Sequence, residues 1–483
     1  MMTVRLFLLL LLLVLGACQT SQVVMNQPLP KDAADTAVVY APGYTLNGLL
    51  NAPRGEILLA LAFSGGGKRS AAFAYGALLG LRSLTIVENG RRHALLDDVD
   101  YISAVSGGSF PAMHYGLYRE QSFKTFESDF LKRDVNAFIW GIYLLPWNWE
   151  WLINPLFGTN DAMAAVYDRL MFHGATYADL AKQGLPMISV EATDIAGDVA
   201  FPFNQNSFDL LCSDLGGFPV ARAVAASAAF PVLFSPITLV SHRSNCLAYP
   251  PPSAPPTEAR NGTGTLSRAS VLAANAARQM DPERTRYVHL MDGGIADNLA
   301  LRSLSNALIV LDRDAGEFRR LARVTRRVVV LSVDGQAARD PTLGRRRVVT
   351  GLGQIISTVS STQINAYSFE TLLLVDQQLK DLVEGMRRIR CEQSQQLDGY
   401  ACDDVRGTLI QVSLAGIADE AMRRRLMALP TSLTIPDADV DALVEEGQTL
   451  TRGNPTLREL LADFSPAFDT TAAANAGGRG TAD

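Results

Sequence analysis

From Ile57 onward the chain alternates between apolar runs of strand length and stretches with a helical period. The runs Ile57 to Phe63, Val99 to Val105, Met187 to Thr193, Tyr287 to Met291 and Arg327 to Val333 are too apolar to be half-exposed, so they predict strands covered on both faces. The intervening patterns predict helices over Arg69 to Leu84, Gly107 to Tyr118, Asp161 to Phe172 and Val220 to Ala229. Strand and helix in alternation give an α/β fold, a three-layer α/β/α sandwich around a mostly parallel central sheet. The Pro- and Gly-rich stretch Tyr249 to Gly264 interrupts the pattern and reads as a surface excursion. From about Leu343 the character turns helical through Gln378, with a strand at Thr408 to Ser413 and helices near Asp437 to Thr451 and Thr456 to Phe464. This is a helical C-terminal extension. Its small, polar tail after Asp469 is expected to be disordered.

The N-terminus has a different logic. Arg5 precedes an unbroken apolar run, Leu6 to Leu15, and then Gly16-Ala17-Cys18. A cation, a short apolar centre and small residues form the layout of a secretory signal, and the run falls short of the ~20 residues that span a bilayer. Leu15-Gly16-Ala17-Cys18 resembles the bacterial lipoprotein signal, which implies Cys18 as a lipid anchor and an exported, membrane-anchored protein. Gln19 after the cysteine favours the outer membrane.

Composition narrows the partners. With 43 basic and 49 acidic residues and no basic tract, nucleic acid is a poor candidate. Setting Cys18 aside, Cys212, Cys246, Cys391 and Cys402 are even in number in an oxidising compartment. Cys212 with Cys246 and Cys391 with Cys402 is the sequence-local choice among three connectivities, and four separate thiols is the alternative. No cysteine or histidine cluster has metal-ligand spacing, so neither a metal nor a cofactor is expected.

Three segments carry candidate chemistry. Ser64-Gly65-Gly66-Gly67-Lys68-Arg69 follows one strand and opens a helix; consecutive glycines let main-chain N–H groups converge on an anion, or simply make a tight turn. The spacing lacks the Lys-Ser/Thr of a phosphate-binding loop. Ala104-Val105-Ser106-Gly107-Gly108 again joins a strand to a helix and matches a nucleophile elbow, with alanine where the pattern G-x-S-x-G has its first glycine. Asp292-Gly293-Gly294 follows a third strand, where the carboxylate either faces a site at the sheet's carboxyl edge or caps a turn.

In this order the three resemble the patatin-like phospholipase family, marked by G-G-G-x-R, G-x-S-x-G and D-G-G/A. Ala192-Thr193-Asp194 and the segment Ala225 to Phe234 extend the resemblance to roughly Ile57 through Leu301. It implies a lipid acyl hydrolase (phospholipase A, lysophospholipase or esterase) with a Ser/Asp dyad and no histidine. Ser106 would be the nucleophile, Asp292 the general base, and the N–H groups of Gly65, Gly66 and Gly67 the oxyanion hole. Arg69 and Asp194 would support the site or the fold, and Lys68 is expected to face solvent. The chain then divides into a signal peptide (1–17), a tether and lead-in (18–50), a catalytic domain (51–340), a mainly helical extension (341–468) and a tail (469–483).

All four tryptophans, Trp140, Trp147, Trp149 and Trp151, fall in one stretch broken by Pro146 and Pro155. Tryptophan favours the membrane–water boundary, so this stretch is either a lid touching lipid or a hydrophobic flank of the core. The expected partners are an acyl-ester lipid and a membrane surface. The rival function is a non-catalytic lipid-binding lipoprotein, with Ala104 as its support.

Overall fold

The computed structural model describes residues 55–464, apart from 89, 146–156, 232, 246–267, 314, 338–344, 346, 348–351 and 398, together with 26–29, 44–45, 48–49 and 52. Cys18, Cys246, Trp147, Trp149, Trp151, the excursion at 249–264 and the C-terminal tail therefore lie outside the described residues.

Among the described residues, eight strands form one sheet: β1 (Ile57–Phe63), β2 (Val99–Val105), β3 (Met187–Asp194), β4 (Val199–Pro202), β5 (Ile237–Val240), β6 (Tyr287–Asp292), β7 (Arg327–Asp334) and β8 (Arg406–Ser413). Their order is β8-β7-β1-β2-β3-β6-β5, with β4 pairing to β3. Neighbours from β8 through β3 run parallel, whereas β6 is antiparallel to both β3 and β5. β2 and β3 are buried along their whole length, as two-sided apolar runs require. All six predicted strands, the five apolar runs and Thr408 to Ser413, are present. β4 and β5 were not expected: each is only four residues long and partly exposed, too short an apolar run to stand out from its surroundings.

The register sets the site. Phe63 lies opposite Ala104, Val105 opposite Glu191, and Ala192 opposite Asp292, so the carboxyl ends of β1, β2 and β3 and the end of β6 reach one edge of the sheet. Helices α1 (Gly67–Ser83), α2 (Ser109–Tyr118) and α3 (Val220–Ser227) start or stop at that edge. The C-terminal region is mainly helical, with α4 (Leu352–Gln393) and α5 (Asp437–Gly453). It is also part of the same core: β8 extends the sheet beside β7, and α5 lies along α1. The two helices approach so closely that a Cβ on Gly76 would stand 2.2 Å from the Val444 carbonyl, and one on Gly447 2.3 Å from that of Phe73. No helix among the described residues is long and apolar enough to cross a membrane.

Cys391 and Cys402 form a disulfide that ties the end of α4 to the turn before β8. Cys212 is disulfide-bonded as well. Beside the first bridge, the buried Arg390 guanidinium donates to the carbonyls of Cys402, Ala322 and Thr325. Replacing Cys391 and Cys402 together by serine is expected to lower the unfolding free energy by about 2–3 kcal/mol, read by urea denaturation. Turnover at 25 °C should be unchanged, because the bridge closes a loop remote from the sheet edge described next.

Candidate active site

β2 ends at Val105 and the chain turns at Ser106 with φ 49°, a left-handed conformation that a residue with a Cβ holds only when its surroundings impose it. A 3₁₀ turn, Ser106–Gly108, then leads into α2. The turn places the serine hydroxyl against the end of β6: Ser106 Oγ donates to Asp292 Oδ2 at 2.8 Å. The other carboxylate oxygen, Oδ1, accepts from the Gly294 N–H at 2.8 Å, which fixes the plane of the group. Both residues are 7% exposed. Burial pushes the Asp292 carboxyl up to about 6, against the opposing pull of the hydrogen bonds from Gly294 and Ser106. Ala104, where the elbow pattern has glycine, lies fully buried in β2 and pairs with Phe63 on one side and Val190 on the other, so its methyl leaves the strand in register.

The glycine loop meets the elbow directly. A Cβ on Gly107 would stand 2.1 Å from the Gly67 carbonyl oxygen, so the two backbones are in contact and only glycine fits. Gly66, at φ 143°, turns the chain from β1 into α1. The N–H groups of Gly66 and Gly67 have no acceptor among the described residues, and they sit at a helix N-terminus beside the nucleophile. Gly65 departs from the three-donor expectation: its N–H donates to the Asn298 carbonyl at 2.9 Å and is spent on holding the loop to the segment after Asp292.

A buried serine hydroxyl on a strained strand-to-helix turn, hydrogen-bonded to a desolvated aspartate beside two main-chain donors without an acceptor among the described residues, is an arrangement for acyl transfer. The model of the patatin-like phospholipase family matches residues 61–305, half of the chain. The chain belongs to that family. Among solved structures, human GIVD cytosolic phospholipase A2 is similar over 62% of this chain and 48% of its own, at 13% identity and TM-score 0.33. This chain thus spans about half the length of that protein. ExoU, in its complex with SpcU from the type III secretion system of Pseudomonas aeruginosa, is similar over 85% of this chain and 91% of its own, at 15% identity and TM-score 0.20. No curated protein matches the chain.

The remaining residues of the patatin-like motifs have structural partners. Arg69 is buried; its Nε donates to the Gly335 carbonyl at 2.8 Å and its Nη1 to that of Leu429, which joins α1 to the loop after β7 and to the segment before α5. Lys68 does not face solvent. It is 1% exposed, with Nζ donating to the Arg133 carbonyl at 2.6 Å over the Phe130 ring, and burial lowers its ammonium to about 8. Asp194 holds Arg278, Gln279 and the N–H groups of Ala196 and Gly197.

Sequence reading assigned no role to three residues behind the dyad. The Ser227 hydroxyl accepts from the Ser106 N–H, Asn298 accepts from Gly65, and the buried Glu191 carboxyl takes the Ser103 hydroxyl's hydrogen bond. Burial, together with the neighbouring Asp297, pushes Glu191 well up, toward the neutral acid at physiological pH. One trio among the described residues could hold a metal ion, Glu88, His93 and Asp98, at the opposite end of β2; there His93 and Asp98 already close on each other at 2.8 Å.

Asp292 accepts a proton only as the carboxylate, so activity is expected to fall as pH drops through about 6, well above the ordinary aspartate range. A kcat/KM profile with its acid limb near 4 would contradict this. The raised value also means that folding favours the protonated acid, so the cost of burying the charge is absent below the unfolded pKa and full above about 6. A rise from 3.8 to about 6 corresponds to at most about 3 kcal/mol. Asp292→Asn is therefore expected to raise the thermal midpoint at pH 8 by several degrees while abolishing turnover, as calorimetry would show.

Proposed function

We propose that the protein is an exported, lipid-anchored serine acyl hydrolase that cleaves fatty acyl esters at a membrane surface through an acyl-serine intermediate. The observation that carries this reading is the 2.8 Å hydrogen bond from Ser106 Oγ to Asp292 Oδ2 in a buried site. As Oγ attacks the ester carbonyl, its proton passes to Oδ2, and the oxyanion takes the N–H groups of Gly66 and Gly67. The tetrahedral intermediate collapses, the leaving alcohol takes the proton from Asp292, and the acyl group remains on Ser106. Water then attacks the acyl-serine, giving its proton to Asp292, and the serine recovers a proton as the fatty acid departs. No imidazole is needed, because a carboxylate near 6 is a far better base than one near ~3.9.

Membrane action is supported by the helix Val135–Leu144, which carries Phe138, Trp140 and Leu144 exposed to solvent, Trp140 by 62% and Leu144 by 67%. Its base is fixed: the Asp134 side chain accepts from the Ala137 N–H, and Asn136 N–H donates to Thr434 Oγ1. An indole held this way suits the interface between lipid and water. The resemblance of Leu15-Gly16-Ala17-Cys18 to a lipoprotein signal supports an anchor at Cys18 and, with Gln19 after it, an outer-membrane location.

Hydrolysis of a phospholipid, lysophospholipid and short-chain ester panel is expected with the wild-type protein and lost by at least 1000-fold in Ser106→Ala, with fluorophosphonate labelling lost in parallel. Retained hydrolysis in that variant would refute the mechanism. Trp140→Ser combined with Leu144→Ser is expected to reduce cleavage of vesicle phospholipid about tenfold while leaving a soluble ester within twofold. Equal loss on both substrates would remove the membrane-facing role.

A further inference from the structure

The elbow at Ser106 poses a problem that the dyad alone does not solve. A left-handed serine relaxes unless its backbone is held, and its N–H, at the junction of strand and helix, belongs to neither ladder. That buried N–H donates to Ser227 Oγ at 2.8 Å. The Ser227 hydroxyl in turn donates to the Glu191 carbonyl at 2.6 Å, on the strand that lies between β2 and β6. The same turn at the end of α3 takes two further N–H groups: Gly293 donates to the Ser227 carbonyl and Asp292 to the Ala229 carbonyl, each at 3.1 Å. Nucleophile and base are thus suspended from one three-residue turn, and Ser227 is fully buried at its centre.

We infer that Ser227 is a positioning residue for the dyad: its hydroxyl, by bridging the Ser106 N–H to the Glu191 carbonyl, sets where Ser106 Oγ stands relative to Asp292. The inference rests on the acyl-transfer reading of those two residues given above. Ser227 itself touches neither reacting atom, since its hydroxyl is occupied by main-chain groups on both sides. Its effect is therefore on the orientation of the serine, where a small displacement costs rate rather than affinity.

The test compares the full-length wild type with Ser227→Ala, Ser227→Cys, Ser106→Ala and Ser122→Ala on a soluble short-chain ester. Ser122 is an equally buried serine whose hydroxyl pairs with His114, away from the dyad. Ser227→Ala is expected to lower kcat by roughly ten- to a hundredfold with KM within twofold, and to slow fluorophosphonate labelling of Ser106 by the same factor. Ser227→Cys, which keeps the side chain's size and a weaker hydrogen-bonding group, should fall between Ser227→Ala and wild type. Ser122→Ala should shift the thermal midpoint as much as Ser227→Ala does, with kcat unchanged. If Ser227→Ala keeps kcat within threefold while Ser106→Ala is inactive, the positioning role is wrong and the acyl-transfer reading stands. The role is equally wrong if the loss in Ser227→Ala is matched in Ser122→Ala and follows stability alone. If Ser106→Ala retains hydrolysis, the acyl-transfer reading fails and the positioning role fails with it.

Discussion

The structure depends on keeping a carboxylate out of water without a cation beside it. Among the described residues no lysine or arginine neutralises Asp292; its two oxygens are met by one main-chain N–H and one hydroxyl. Two hydrogen bonds do not offset full desolvation, and the carboxyl rises to about 6. That imbalance is the source of its basicity. A guanidinium within ion-pair distance would stabilise the fold and leave a poor proton acceptor. The nearby arginine of the family motif, Arg69, is directed instead to the carbonyls of Gly335 and Leu429, with Asp334 the acid nearest to it in charge.

The second constraint is that the hydroxyl, the carboxylate and the main-chain donors come from three strand ends. A parallel sheet gathers its carboxyl ends at one edge, and the β1–β2–β3 register brings Phe63, Ala104 and Val190 level. β6 arrives antiparallel, so Asp292 reaches the same edge through its pairing with Ala192. Close backbone contacts complete the convergence. Gly107 lies against the Gly67 carbonyl, and Gly65 donates to Asn298. A one-residue slip in any of these strands would carry Ser106 or Asp292 to the opposite face.

This explains what could be read from the chain and what could not. The five strongly apolar strands and the helices after them are local patterns, and each of the motifs at Gly65, Ser106 and Asp292 is a strand followed by a turn of small residues. Such features are written within about ten residues and survive translation into structure. The partner of a hydrogen bond is not written locally. That Gly65 spends its N–H on Asn298, or that Ser227 meets the elbow, depends on the register of strands far apart in sequence. Lys68 shows the same limit from the other side. A lysine next to an arginine reads as solvated, but the helix after Ser122 places the Phe130 ring and the Arg133 carbonyl over it.

The C-terminal region illustrates the point at larger scale. Its helical pattern separates it in sequence from the motifs, but its chain returns to them. The Ser432 carbonyl accepts from the Lys68 N–H at 2.7 Å, directly after the glycines, and a Cβ on Gly67 would stand 2.5 Å from that same oxygen. Two residues on, Thr434 Oγ1 accepts from Asn136 and donates to Asp134, at the base of the helix that carries Trp140. A single segment, Leu429 to Thr434, thus braces the first turn of α1 from outside while holding the stem of the exposed aromatic helix. The N–H groups of Gly66 and Gly67 keep their direction because the turn they belong to is supported on both sides, by the elbow within and by this segment without. Main-chain donors stabilise a developing charge in proportion to how little they must reorganise, so the residues after β8 belong to the site as fully as the glycines do.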